Sequence, residues 1–488
     1  MEHLDVVIVG AGLSGIGAAH HLQVDCPDKR YAILEGRDAI GGTWDLFRYP
    51  GIRSDSDMFT LGYNFRPWGE AKAIADGPSI LRYVRDTARE GDIERHVRFG
   101  HRLVHAAWDS VAARWTLRAE TADGPRQLSC GFLLLCTGYY NYEAGYTPAF
   151  AGREDFGGTI VHPQFWPEGL ETAGKRVIVI GSGATAVTLV PELAKTAASV
   201  VMLQRSPTYI VSRPAEDRFA NWLRRRLPAK LAYRLIRWRN VGMQQLFFRL
   251  ARSRPGKTRD RLLTLVRDAL GPDFDVATHF TPRYDPWAQR LCLIPDNDLF
   301  DAVRAGRAEV VTDHVDRFVA EGVRVESGRV LPADIVVTAT GLDMQLMHGL
   351  SLEVDGTPVQ PAERYLYKGA MLSGVPNMAL TFGYTNASWT LKADLTSEWV
   401  CRLLRHMDAT GTAVATPALD GDAPSPEPFI DFSSGYVERA RDQLPKQGAA
   451  APWKLHQNYA RDLMTLRYGR LDDGVLRFTA PAKAKEPA

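Results

Sequence analysis

The chain has 488 residues, 45% of them hydrophobic and 24% charged, with a formal net charge of +2. That length exceeds one core and suffices for two or three domains. The near-neutral charge excludes a dedicated nucleic-acid binder, and no apolar run approaches the roughly 18 residues a membrane span needs.

Five scattered cysteines, Cys26, Cys130, Cys136, Cys292 and Cys401, show neither zinc nor C-x-x-C spacing. We therefore expect no metal and a reducing, cytoplasmic setting. The opening MEHLDVVIVG runs from an acidic residue straight into a strand, which reads as no secretory leader.

In DVVIVGAGLSGIGAAHHL, Val6 to Val9 reads as a short buried strand and Ile16 to Leu22 as a helix. Between them Gly10, Gly12 and Gly15 stand in G-x-G-x-x-G spacing. The first glycine permits a tight turn, the second lets backbone approach a pyrophosphate, and the third lets helix and strand pack closely. The helix N-terminus then offers free N–H groups to phosphate. The spacing alone is weak evidence. Here a second strand, YAILEGR, follows and ends at Glu35, where a carboxylate takes ribose hydroxyls. An acid at that place suits FAD.

Further along, GFLLLCTGYY (Gly131 to Tyr140) reads as another strand. The connector DFGGTIVHPQFWPEG follows, Asp155 to Gly169. Its glycines and prolines argue against both strand and helix, yet it carries Phe156, His162, Phe165 and Trp166, which a solvated loop does not need. KRVIVIGSGATAVTLVPEL then repeats the nucleotide pattern, with a strand over Val177 to Ile180 and G-x-G-x-x-A at Gly181, Gly183 and Ala186. The next strand, SVVMLQRSPTY, ends in Gln204, Arg205 and Ser206 rather than in an acid. A guanidinium pairs with phosphate in a bidentate way, so this end suits a 2′-phosphate and NADPH over NADH.

From Phe219 to Thr258 there is no acidic residue, while arginines alternate with Trp, Leu and Phe at helical intervals. The segment reads either as a plain helical cap or as an amphipathic basic face that rests on anionic lipid. ADIVVTATGLD (Ala333 to Asp343) reads as a late strand, and TAPAKAKEPA as a disordered tail.

Two longer patterns carry a family resemblance. The connector reads F-x-G-x-x-x-H-x-x-x-W-P at Phe156, Gly158, His162, Trp166 and Pro167. GGTWDLFRYPGIRSD reads G-G-x-W-x-x-x-x-Y-P-G-x-x-x-D at Gly41, Gly42, Trp44, Tyr49, Pro50, Gly51 and Asp55. The chain resembles the type I Baeyer–Villiger monooxygenases, class B flavoprotein monooxygenases, over almost its whole length. CTGYYNYEAGY, LQRSPTYIVS and GYTNASWTLKADL bring it closest to the ethionamide-activating branch.

The resemblance implies an α/β fold with two Rossmann-like dinucleotide-binding domains, the second nested in the first, and a helical insertion. The expected ranges are 1–145 and 343–478 for the FAD-binding domain, 150–210 and 286–342 for the NADPH-binding domain, 211–285 for the insertion and 479–488 for the tail. It implies a monooxygenase that uses FAD, NADPH and O2 to turn ketones into esters or lactones through a C4a-peroxyflavin, and to oxidise sulfur in sulfides or thioamides.

Arg290, in DPWAQRLCLIPDN, matches the family's catalytic arginine, and Asp55 matches the aspartate that holds it. Arg283 nearby does not match. Gly10, Gly12, Ser14, Gly15, Glu35, Thr43, Trp44, Asp45, Leu46 and Leu103 are expected at FAD. Arg53, Ser54, Asp55, Ser182, Gly183, Ala184, Thr185, Ala186, Val187, Thr188, Arg205 and Ser206 are expected at NADPH. Trp389 and Lys392 are expected toward the nicotinamide. The aromatic connector is expected to be an interdomain hinge, with His162 structural. Two other readings stand beside this one: an N- or S-oxygenase without Baeyer–Villiger activity, and a reductase or redox sensor.

Overall fold

A computed structural model describes residues 1–420 and 423–480. Glu2–Val9 lies inside a nine-stranded sheet, between Tyr31–Leu34 and Arg126–Leu135, and is parallel to both. Met378–Leu380 adds to Arg126–Leu135, also in parallel. Strands covered on both faces should be apolar throughout, and Val6, Val7 and Ile8 are fully buried. Beyond Arg126–Leu135 the sheet turns antiparallel through Arg114–Glu120 and Arg102–Asp109.

The second sheet has five strands in the spatial order Ala308–Thr312, Ser199–Gln204, Arg176–Ile180, Ile335–Thr338 and Thr159–Val161, all parallel. All five fall in sequence between Arg126–Leu135 and Ser351–Val354 of the first sheet, so the second unit is nested in the first. The two chain crossings are zipped together, because Tyr140–Gly145 pairs antiparallel with Leu342–Met344.

The connector departs from its sequence reading. Thr159–Val161 is an edge strand of the second sheet, and Pro163–Phe165 is a single 3-10 turn. Three residues between glycines and a proline are too few for an alternating pattern to show. At the other end, Thr479 pairs with Val414 as part of the strand Leu476–Thr479 and so does not belong to a tail. The rest of the predicted tail, residues 481–488, lies outside the described residues.

The insertion forms helices Arg218–Arg226, Ala229–Ser253 and Pro255–Leu270. It does not sit on the second unit alone. Ala232, Tyr233 and Ile236 of the long helix enter the core of the first unit beside Phe59, Tyr63 and Tyr83. Arg237, only 4% exposed, donates from one guanidinium nitrogen to the carbonyls of Phe59 (3.0 Å), Thr60 (3.3 Å) and Gly62 (2.7 Å). Asp394 lies 3.6 Å from its other nitrogen. This charge is thus sequestered by carbonyls and a carboxylate, which is the condition for burying it. Among the described residues no helix is long and apolar enough to cross a membrane.

Arg237→Met should strand three buried carbonyls and Asp394. We expect a destabilisation of about 3 kcal/mol, seen as a lower urea midpoint in circular dichroism. A midpoint equal to that of the parent would show that the arginine is dispensable for the packing.

Candidate active site

Both glycine turns open on one cavity of about 1230 Å³. At the first, Gly10 has φ +102°, and a Cβ there would lie 2.6 Å from the Cys136 carbonyl oxygen. The helix Leu13–Asp25 begins at Gly12 with no side chain capping it. Its first N–H groups are therefore free to meet an anion. Gly42 (φ +54°) packs its backbone against Gly12, so a Cβ at Gly42 would come within 3.0 Å of the Gly12 Cα. The second turn repeats the design: Gly181 has φ +140°, and helix Ala184–Leu193 starts at an uncapped Gly183.

Two uncapped helix starts behind glycine turns, on one roomy cavity, fit two dinucleotide pyrophosphates. Glu35 ends the strand beside the first turn. Its carboxylate accepts from the Ala11 N–H (2.7 Å) and the Arg37 N–H (2.9 Å). Burial pushes its pKa up, against these two donors.

The stretch Tyr49 to Asp55 crosses between the units. The Tyr49 ring is buried in the core of the second unit beside Val187 and Val190, and burial pushes its hydroxyl up to a pKa of about 12. Gly51 (φ +73°) lies against Glu192, where a Cβ would come within 3.0 Å of the glutamate Cβ. Arg53 pairs with Asp298 and reaches the Val187 carbonyl at 3.4 Å. Asp55 then meets Arg290, with carboxylate oxygen and guanidinium nitrogen 2.8 Å apart. The carboxylate, above other causes, holds the guanidinium above its ordinary range. The Arg290 side chain is still 40% exposed, and it lines the cavity. It is thus a permanent positive charge directed at whatever the cavity holds.

The loop carrying Arg290 is fixed from two further sides. The Ala288 carbonyl accepts from the Ser433 N–H at 3.0 Å. Trp287, at φ +67°, packs against Phe247 and Phe248 of the insertion. Tyr139, Phe382 and Trp389 form an aromatic wall, with centroids 5.1–5.8 Å apart.

The connector sits beside the zipped crossings. A Cβ on Gly145 would collide with the His162 ring. His162 Nδ1 accepts from the Gln164 N–H at 3.2 Å, and Gln164 donates to the Asn141 carbonyl at 2.7 Å. Burial holds the imidazole below its ordinary pKa.

Most of the expected residues line the cavity: Gly10, Gly12, Ser14, Glu35, Thr43, Trp44, Arg53, Ser54, Asp55, Leu103, Ser182, Gly183, Ala184, Thr185, Thr188, Arg205, Ser206 and Arg290. Some do not. Gly15 packs against the Gly10 carbonyl instead. The Asp45 carboxylate is buried among Arg37 (2.7 Å), Arg85 (2.8 Å) and Arg48 (3.4 Å). Leu46, Ala186 and Val187 lie off the lining, the last two fully buried on the inner face of their helix. Lys392 is a correction: it is buried against Asp462 at 2.9 Å and does not reach the cavity. Trp389 does line the cavity, but its indole N–H donates to the Ser14 hydroxyl at 2.8 Å, beside the first turn. Arg283 is exposed and outside the cavity.

Sequence reasoning missed Arg37, Phe382, Tyr436 and Arg439 on the lining. Arg439 lies over the Tyr146 ring at 3.4 Å. Burial first, and the positive charge of Arg205 among lesser causes, lower its pKa. No local pattern marks these residues.

The flavin-binding monooxygenase-like family profile matches residues 73–238, and an NAD(P)-binding Rossmann-like domain profile matches residues 8–73. The chain is 55% identical over 488 residues to the FAD-containing monooxygenase EthA of Mycobacterium tuberculosis, covering all of this chain and 99% of that one. Two solved structures share the fold. A cyclohexanone monooxygenase superposes with a TM-score of 0.78 at 20% identity, over 98% of this chain and 100% of its own. A steroid monooxygenase bound to NADP gives 0.75 at 22%, with the same coverage.

Arg205→Ala should raise the KM for NADPH by about tenfold to a hundredfold, since a charged hydrogen bond contributes about 1.5–3 kcal/mol, and leave the KM for NADH unchanged. An equal loss for both nucleotides in steady-state assays would remove Arg205 from the 2′-phosphate.

Proposed function

The chain belongs to the flavin-binding monooxygenase-like family, and on that premise we propose that it is a Baeyer–Villiger oxygenase that also oxidises sulfur in sulfides or thioamides. As a family member it is an FAD-containing, NADPH-dependent monooxygenase acting on a small molecule with O2. One oxygen atom enters the substrate, the other leaves as water, and NADPH supplies two electrons. Ketone insertion gives an ester or lactone, and sulfur oxidation gives a sulfoxide. A cytoplasmic setting accords with five free, buried cysteines.

The observation that carries this reading is the Asp55–Arg290 pair on a cavity shared by both glycine turns. FAD held there, with NADPH as its reductant, would supply the activated oxygen. The chain's own residues do the rest. The first helix start and Glu35 hold one dinucleotide, and the second helix start with Arg205 and Ser206 holds the other. Arg290 stabilises negative charge as it develops near the reacting oxygen. It does so best because its position is set beforehand. Asp55 provides that setting, since a carboxylate and a guanidinium fix each other's direction. Tyr139, Phe382 and Trp389 exclude water, which strengthens the arginine's field and favours apolar substrates.

The connector and the Tyr49–Asp55 stretch hold the two units in register. We assign His162 a structural role there. The domain ranges given by the sequence serve as the working division, with the insertion shared between the units.

Arg290→Ala should leave anaerobic flavin reduction by NADPH within about twofold of the parent, yet lower ester formation by about a hundredfold or more. Stopped-flow absorbance reads the first quantity and gas chromatography of a ketone incubation reads the second. Ester yield at the parental level would sink the assignment. Sulfoxide without ester from the parent enzyme would narrow the function to heteroatom oxygenation.

A further inference from the structure

We propose that the helical insertion docks this enzyme peripherally on an anionic lipid surface. The observation is an apolar face that the fold leaves uncovered. On the long helix Ala229–Ser253, Leu231, Leu235, Trp238, Leu246 and Leu250 follow one another at intervals of four, three, eight and four residues, which places them on one stripe. Each is between 41% and 58% exposed. On the preceding helix, Phe219 and Trp222 are exposed to a similar degree and stack with centroids 6.0 Å apart. Single exposed apolar side chains are ordinary, but a contiguous group of this kind marks an interaction site.

The opposite side of the long helix is where Ala232, Tyr233, Ile236 and Arg237 are buried. Apart from Trp238, whose ring meets Tyr459 at 5.5 Å between centroids, the stripe is therefore not needed to attach the helix to the protein.

Charge selects the occupant. Arg225, Arg226, Lys230, Arg234, Arg249 and Arg254 stand on or beside this face, and none has a carboxylate partner among the described residues. No acidic residue occurs between 219 and 258. The carboxylates that border the patch are already paired: Asp217 with Arg239, Asp431 with Arg252 and Asp285 with Arg259. An apolar stripe flanked by unpaired cations matches the headgroup and acyl boundary of an anionic bilayer, where each base near the surface adds to the attraction. A second copy of this chain would bring the same positive charge against itself, and charge repulsion disfavours it.

The docked helix also reaches the site. Phe247 and Phe248 pack on Trp287, three residues before Arg290. The lipid-facing helix and the arginine loop are thus in direct packing contact. The inference does not depend on which oxidation the enzyme performs.

Flotation of the FAD-loaded full chain tests it, using vesicles of phosphatidylglycerol and phosphatidylcholine against phosphatidylcholine alone. The expected result is flotation with the anionic vesicles, reduced by high salt. Leu231→Ser, Leu235→Ser and Leu246→Ser combined should lower the bound fraction by about tenfold or more, as should Arg225→Glu, Arg234→Glu and Arg249→Glu combined. Both variants should keep the flavin spectrum and basal NADPH oxidation, because all six residues lie outside the cavity. Protein that stays at the bottom of the gradient with anionic vesicles overturns the proposal. So does a dimer in solution that the serine variant converts to monomer without any flotation, since the face would then belong to a second copy.

Discussion

The meeting of Asp55 and Arg290 is the contact on which the site's organisation depends, because it joins two nucleotide units that the chain builds separately. Each Rossmann-like unit folds around its own sheet, with a parallel centre. A shared cavity exists only if the units are held at a set separation. The stretch Tyr49 to Asp55 does this with four successive contacts: a phenol ring in the second unit's core, a glycine against Glu192, an arginine on Asp298 and the carboxylate on Arg290. The last of these also positions the site's permanent positive charge, the Arg290 guanidinium. Structural joint and electrostatic device are one element, so a change that loosens the joint also moves the charge.

Three other elements serve the same end. The crossings Tyr140–Gly145 and Leu342–Met344 pair as strands and take up the connector through His162 on Gly145. The insertion buries Arg237 in the first unit while its far end packs on Trp287 beside Arg290. Ser433 of the first unit's return segment holds the Ala288 carbonyl. An arginine loop fixed from three directions is what preorganisation means physically: the side chain need not be ordered when charge develops, so no reorganisation is required at that moment. A cavity walled by Tyr139, Phe382 and Trp389 adds the low local polarity in which that charge acts over longer range.

Much of this was legible in the chain. Glycine turns can be read because only glycine takes φ near +102° or +140° without strain, so Gly10 and Gly181 announce themselves. Arg205 was legible because its place after the second strand is set by local geometry. Asp55 and Arg290 were legible only through family resemblance, since they stand 235 positions apart and no local rule pairs them. Asp45 shows the limit: a carboxylate next to Trp44 in the fingerprint was expected at the flavin, but Arg37, Arg48 and Arg85 hold it off the cavity. Lys392 shows it again, because Asp462, far along the chain, decides where its charge goes.

The sequence by itself marked the two nucleotide turns and their order along the chain. Those properties reside in short stretches whose backbone conformation and hydrogen bonding are local. Only the tertiary structure decided that the connector contributes an edge strand, that the insertion clamps both units, and that an apolar stripe on that insertion is left uncovered. Each of these depends on which surfaces meet. Burial is a property of pairs of distant segments, and a single segment's hydrophobic pattern does not say which partner covers it or whether any does.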